Sequence, residues 1–446
     1  MKITIVGAGR VGVHLAKYFS DENQDVYLVD EDRRVLNNLE SDFNMRTFAG
    51  DPLDFNTLRD ANAHNADIFV AVTAKTADNL VACALAKSMG ARKTIARVDK
   101  YDFLMQRNME VVRRMGVDHV VYPDYLAALS VISALQHPWC DGWNEFSEGA
   151  IIMTAVQVTD KSPIVGQYLK DMQSLSRSMH VSALKRNSVT IIPRGTDMVL
   201  ANDILYITTV PEGLDVVRQC TGKEEIAVKK VIMMGGSSVA EMTARLASDD
   251  FSFVIVEKNI DRCRELTEVC PDCDIIYGDS SEAEVLDEAG IANCQAFVAL
   301  SDSSESNILG CLTARDCGVG RTVVEIEKEQ YIAKGESFNI GAIINKPIIT
   351  ANYIFQLILD NDLSTSKCFA MKDADVAAIE IPDGSKLTKC QVKDLSLPRG
   401  VTFAGLIREG KGEIVTGNTV FKPGDNVIVF CLSGSLNKVE NLLRKK

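Results

Sequence analysis

Val6-Gly7-Ala8-Gly9-Arg10-Val11-Gly12 is the stretch that decides how this chain is read. Before it, Lys2–Val6 is a short apolar run with strand character; after it, Val11–Phe19 has the spacing of an amphipathic helix. A G-x-G-x-x-G pattern says little alone, but between a strand and a helix it is a dinucleotide fingerprint. Gly7 permits the tight turn, Gly9 lets a pyrophosphate approach the backbone, and Gly12 lets the helix press on the strand. With Ala8 and Val11 they form a loop whose helix offers its N–H groups to phosphate. Asp30 ends the next apolar run, 18 residues past Gly12, where a carboxylate accepts ribose hydroxyls. It would repel a 2′-phosphate, so the expected ligand is NAD(H). Arg10 is either a bidentate phosphate contact, which would also suit a nucleoside polyphosphate, or an exposed helix-start residue.

Working outward, the same module returns 228 positions later. Gly7-Ala8-Gly9-Arg10-Val11-Gly12 faces Gly235-Gly236-Ser237-Ser238-Val239-Ala240; Gly50-Asp51 faces Gly278-Asp279, Phe69-Val70-Ala71 faces Phe297-Val298-Ala299, and Asn79 faces Asn307. A phase held over so many residues marks an internal repeat. Each copy alternates strands and helices, which implies a doubly wound parallel sheet. In the first copy the strands fall at Lys2–Val6, Asp25–Val29, Arg46–Phe48, Ala66–Val72, Thr94–Val98 and His119–Tyr122. Asp51, Thr73 and Arg97 lie at strand ends, where such sheets bind ligands. Asp51 is expected at the adenine end and Thr73 at the phosphate or nicotinamide end. Arg97 is either a phosphate or inter-subunit contact or a structural residue. The second copy keeps an acid, Glu257, together with Gly235 and Asp279. It puts Ser237 in place of the middle glycine, Ser238 in place of Arg10 and Glu325 in place of Arg97. It reads as a weak, altered or empty second site.

Each copy ends in a Pro-started apolar helix, Pro123–Gln136 and Pro347–Asp360. Their faces are too apolar for solvent, and they pack either on the parent sheet or on another subunit. A smaller repeated module follows each, with Lys170-Asp171, Gly195 and Asp203 matching Lys393-Asp394, Gly417 and Asp425. The fold class is therefore α/β, two doubly wound Rossmann-type sheets each followed by a small α+β lobe. The expected boundaries are 1–122 and 228–346 for the sheets, 123–139 and 347–360 for the crossover helices, and 145–225 and 368–446 for the lobes. Linkers are expected near Pro138–Gly149, Thr221–Val228 and Asp360–Ala370.

A chain of 446 residues with 46% hydrophobic and 24% charged residues can hold several ordinary folded domains. Its net charge of −13 argues against a nucleic-acid partner, while leaving docking on the basic loops of a membrane protein open. Met1-Lys2 runs straight into a strand, leaving no room for a signal peptide. The apolar stretches Ala127–Leu135 and Ile348–Leu359 are too short for a transmembrane segment. Twelve cysteines without scaffold spacing fit a reducing cytosol. Cys270-Pro271-Asp272-Cys273 has redox or zinc-knuckle spacing but stands alone, and the five histidines form no metal-spaced pair, so no metal site is expected. A dehydrogenase needs a proton relay or metal beside the nicotinamide. The lobes supply neither, and Asp203 and Asp425 follow turn signals, so no catalytic residue is assigned.

The glycine turn, Gly50-Asp51, Ala71-Val72-Thr73, Asn79 and Thr94-Ile95-Ala96-Arg97-Val98 resemble the family of Trk potassium-uptake regulators. These belong to the domains that regulate potassium conductance (RCK domains). The duplicated four-part order over essentially the whole chain is the specific element. The resemblance implies a cytoplasmic regulatory subunit, peripheral on the inner face of the membrane, docked on a Trk-type potassium transporter. It further implies a homo-oligomer, a dimer or tetrameric ring, with NAD(H) and ATP or ADP competing for a site lined by Gly7, Gly9, Arg10, Gly12, Asp30, Asp51, Thr73 and Arg97. The alternatives are an NAD-dependent oxidoreductase, or a redox-sensing interaction protein without a transport partner.

Overall fold

The structure is a computed structural model that describes residues 1–40, 45–175, 177–359, 368–370, 374–395, 397–398 and 400–432. Its strands form four sheets. The first contains β1 (Lys2–Val6), β2 (Asp25–Asp30), β3 (Arg46–Ala49), β4 (Ile68–Ala71), β5 (Lys93–Arg97) and β6 (His119–Val121), all parallel, in the order β3-β2-β1-β4-β5-β6. Ile3, Ile5, Val70 and Ala71 are fully buried, as central strands covered on both faces require. The helix Arg10–Asp21 turns Val11, Leu15 and Phe19 onto this sheet, one residue per turn on one stripe. Strand order reverses between β1 and β4, and the crevice beyond their carboxyl ends is the usual ligand position.

The second sheet has β7 (Gly142–Phe146), β8 (Ile151–Gln157), β9 (Met179–Arg186), β10 (Val189–Ile191) and β11 (Ile204–Thr209) in antiparallel order β10-β9-β11-β8-β7. β7 lies where a linker was expected, so this lobe begins before residue 145. As an edge strand with a half-exposed pattern, it lacks the buried alternation that identifies a strand from sequence. The third sheet repeats the first: β12 (Lys230–Met234), β13 (Ser252–Glu257), β14 (Asp274–Tyr277), β15 (Ala296–Ala299), β16 (Arg321–Glu325) and β17 (Ala342–Ile344), ordered β14-β13-β12-β15-β16-β17. The fourth repeats the second with β18 (Cys368–Ala370), β19 (Ala374–Glu380), β20 (Val401–Arg408), β21 (Lys411–Ile414) and β22 (Asn426–Leu432), ordered β18-β19-β22-β20-β21. Of the expected linker Asp360–Ala370, residues 360–367 lie outside the described residues, and the rest is β18.

The chain divides into two compact units. One is Met1–Ala127 with Asn345–Ile358, the other Ala128–Ile344 with Leu359–Lys446. The helix Lys346–Leu359, which follows the second Rossmann sheet in sequence, therefore belongs almost wholly with the first. Phe355 packs its ring on Tyr18 and Phe19, Lys346 pairs with Asp124 at 3.1 Å, and Lys93 donates to the carbonyl of Leu357. This corrects the first of the two options read from sequence: the helix packs with the first module of its own chain, against the helix Arg10–Asp21, and not on its parent sheet. In the other unit, Arg321 occupies the repeat position of Lys93 and makes the matching contact. Its guanidinium, only 4% exposed, donates to the carbonyls of Ala134 and Cys140 and pairs with Asp141 at 3.4 Å.

The small lobes share a core within that unit. Phe146, Ile151, Met153 and Ala183 of one pack with Val376, Ala404, Ile428 and Phe430 of the other. His180 and Thr402, at equivalent repeat positions, meet at 3.3 Å. Loss of water there pushes the imidazole pKa down to about 4, so it is neutral near pH 7.

Candidate nucleotide-binding site

The glycine turn is held from three sides. Gly7 sits at φ +101°, a conformation glycine adopts freely, and donates its N–H to Val29 O at 2.8 Å. A Cβ on Gly7 would lie 2.9 Å from the Thr73 nitrogen, and one on Gly12 would lie 1.8 Å from the Gly7 carbonyl oxygen. Both glycines are thus required by close backbone approach. Gly9 differs: its φ of −69° suits any residue, and a Cβ there would meet nothing within 4 Å. Its bareness serves the open space in front of the turn.

Asp30, at the end of β2, reaches back over the loop. One carboxylate oxygen accepts from Ala8 N–H at 2.6 Å and the other from Asp32 N–H at 2.8 Å. Each oxygen keeps a second lone pair for a ribose hydroxyl. Gly50 N–H bonds the Asp30 carbonyl at 3.1 Å, which sets Asp51 beside the acid. The Asp51 carboxylate itself accepts from Leu53 N–H at 2.8 Å. Gly9 and Arg10 are exposed at the turn, and Val11 is buried beneath it.

On the other side of the crevice, a residue to which the sequence assigns no place in the site proves central. Asn79 is fully buried, and its Oδ1 accepts from both the N–H and the hydroxyl of Thr73, at 2.9 and 2.8 Å. Its Nδ2 donates to the carbonyls of Thr73 and Arg97, at 3.1 and 2.9 Å. One amide thus locks the carboxyl ends of β4 and β5 together. The Thr73 hydroxyl is engaged in this lock, leaving its backbone next to Gly7 as the part that faces the turn. Gly7, Gly9, Gly12, Asp30 and Thr73 are brought together directly; Asp51 and Arg97 join through the strand ends.

The second module copies this frame. Glu257 accepts from Gly236 N–H at 2.7 Å and Asn259 N–H at 2.8 Å, and Asn307 joins Ser301 to the carbonyl of Glu325 as Asn79 joins Thr73 to Arg97. Asp279, like Asp51, folds its carboxylate onto the second residue ahead, Ser281 N–H at 2.9 Å. Gly235 keeps a positive φ, +94°. The difference lies at the helix start. Ser237 caps its own helix, its hydroxyl accepting from Ala240 N–H at 3.3 Å, whereas Gly9 provides no side-chain cap. Arg262, unnoticed in the sequence, lies across this second turn. It donates to the Gly236 carbonyl at 2.7 Å and pairs with Glu241 at 2.9 Å and Glu265 at 3.1 Å. Glu325 is buried where Arg97 is partly exposed. Among the described residues, no group of three or more His, Cys, Asp or Glu side chains is placed to hold a metal ion.

Asp203 and Asp425 have a structural role. Arg186 grips Asp203 through two hydrogen bonds at 2.8 and 2.7 Å, and Arg408 grips Asp425 at 2.8 and 2.6 Å. Each carboxylate also accepts the turn N–H three residues before it, from Leu200 or Lys422. The turn reading holds, with an added ion pair between a buried carboxylate and a partly exposed arginine that the sequence does not reveal.

The TrkA-N domain family matches residues 3–123 and 231–346, and the TrkA-C domain family matches 153–219 and 376–444. Among curated relatives, the chain is 26% identical over 455 residues to the Trk system potassium uptake protein TrkA homolog 1 of Methanosarcina mazei, covering all of both chains. It is 27% identical to the Trk system potassium uptake protein TrkA of Halomonas elongata, over 97% of this chain and 96% of that one. Among solved structures it is similar to the GsuK channel, at a TM-score of 0.60 and 17% identity, over 99% of this chain and 78% of that one. The GsuK channel bound to NAD matches at 0.59, with the same identity and coverage. At this identity the likeness shows the shared fold.

Proposed function

This chain belongs to the TrkA family, and we propose from that premise that it is the regulatory subunit of a potassium-uptake system, gating ion transport in response to a bound nucleotide. The observation that carries the nucleotide part is the first glycine turn. It has an uncapped helix start, open space at Gly9, and an acid 2.6 Å from the loop N–H. Phosphates would lie on the N–H groups of the helix Arg10–Asp21, where the helix dipole favours negative charge. Asp30 would take the ribose hydroxyls, which favours NAD(H) over a 2′-phosphorylated dinucleotide. Arg10 would supply the positive charge that lets ATP or ADP compete. Asp51, Thr73 and Arg97 would border the same crevice.

Relatives of full length carry the name of potassium-uptake proteins, and a neighbour of the same fold has been solved with NAD bound. Both support the reading. No helix among the described residues is long and apolar enough to cross a membrane, so transport would require a separate membrane subunit. We place the chain at the cytoplasmic face of that subunit, as a homo-oligomer. Gating follows if the nucleotide binds two conformations with different affinity, since only that difference shifts an equilibrium.

The test is potassium uptake in cells that carry the cognate transporter, with wild type or Gly9→Val as the regulatory subunit. Wild type is expected to make uptake depend on nucleotide supply, and Gly9→Val to fold while losing that dependence. Uptake equally responsive in both would contradict the assignment.

A further inference from the structure

Cys270-Pro271-Asp272-Cys273 lies outside the site described above, at the end of the helix Ile260–Val269 in the second Rossmann module. Cys273 N–H donates to the Cys270 carbonyl at 3.1 Å, closing a four-residue turn. Such a turn holds its end Cα atoms within about 7 Å, and a disulfide needs about 4.4–6.8 Å. Cys270 is 3% exposed and Cys273 half-buried, so the pair can be reached from one side. Its surroundings connect it to the second glycine turn. Cys270 Sγ lies 3.9 Å from the carbonyl of Glu241, whose carboxylate holds Arg262, which in turn holds the Gly236 carbonyl at 2.7 Å.

We propose that Cys270 and Cys273 form a reversible dithiol–disulfide site, oxidised by hydroperoxides, whose state is felt at the second glycine turn. Both S–H bonds break and one S–S bond forms; the two electrons and two protons cleave the O–O bond of the hydroperoxide to an alcohol, or water, and water. Cys270 is the readier of the two to ionise. The neighbouring Cys273 thiol holds that of Cys270 below the usual range, against burial and the charge of Glu241 and aided by Arg245 and Arg262. Cys273 is pushed up by its neighbour Cys270 and by burial. Closing the disulfide withdraws Cys270 from the Glu241 carbonyl and loosens the chain of contacts through Arg262.

Full-length reduced protein treated with one equivalent of hydrogen peroxide, then alkylated and mapped by mass spectrometry, tests the site without a variant. The expected result is loss of alkylation at both Cys270 and Cys273 and a peptide lighter by two hydrogens, reversed by dithiothreitol. Cys273→Ser should abolish that peptide, while Cys317→Ser, at an exposed thiol, should not. Full alkylation of both thiols after peroxide, or disulfides formed only between chains, would overturn the proposal. Hydrogen exchange at residues 235–240 should quicken on oxidation. A disulfide that forms with unchanged exchange there would overturn the coupling to the turn.

Discussion

At Gly9 and Ser237 the backbone has nearly the same conformation, with φ of −69° and −66°, and the loop N–H before each is held by an acid at 2.6 or 2.7 Å. What differs is the partner of the helix N-terminus. In the first module the helix start has no side-chain cap and faces open space. In the second, a hydroxyl caps it and an arginine spans the turn. A duplicated frame can thus be kept for its packing while one copy caps with its own side chain a helix start that the other leaves uncapped. The acids alone would not reveal this, because they do the same structural work in both copies.

The largest expected effect probes the tightness of the first turn. Gly12→Ala places a methyl 1.8 Å from a carbonyl oxygen and should cost about 3 kcal/mol or more of first-module stability, by overpacking. Ala240 shows that the second turn already accommodates a methyl, so Ala240→Gly should cost no more than about 1 kcal/mol, the helix propensity difference. Equal losses in denaturant melts would erase that contrast. Next, Asn79→Ala and Asn307→Ala should each cost about 2–3 kcal/mol, by leaving buried partners unsatisfied. Because the lock is shared, the two losses should match; a large difference would mean that the frames are not equivalent.

The lobes offer a pH test. Burial pushes the Asp425 carboxyl up, but hydrogen bonds from Arg408 and the Lys422 N–H, with the charge of Arg408, outweigh it and leave it below the ordinary value. Stability from a depressed carboxyl is present above the unfolded value of about 4 and is lost as pH falls through the lower folded value. The unfolding free-energy gap between wild type and Asp425→Asn should therefore narrow from about pH 6 to about pH 3. A gap that widened on acidification would refute the ion-pair account. The smallest effect belongs to the cap: Ser237→Ala should destabilise the second module by about 1 kcal/mol, read from its melting transition.

Much of this was visible in the residues themselves. Lys2–Val6 and its repeat at Lys230–Met234 are short apolar runs beside glycine turns, and the alternation of strands and helices around them implies parallel pairing. The acid at Asp30 was legible from spacing. Asn79 and Asn307 were seen as repeated positions, but a buried amide reveals its partners only when strand ends converge on it. Arg186 and Arg408 recur in register too, and a search for cations paired in sequence with Asp203 and Asp425 would have found them. Gly142–Phe146 reads as a linker because an edge strand carries little buried alternation. The destination of the helix Lys346–Leu359 was not legible at all: an apolar face states that something covers it, not which of two homologous sheets does.

The central claim, that the first turn alone presents its helix start to phosphate, is tested most directly by thermal shift with NADH and with ATP on wild type, Gly9→Ser and Ser237→Gly. At about a hundredfold excess over Kd, one bound nucleotide stabilises by about 2.7 kcal/mol. Gly9→Ser is expected to remove nearly all of this shift while melting normally without ligand, and Ser237→Gly is expected to leave it intact. A full shift in Gly9→Ser, or its loss in Ser237→Gly, would contradict the account.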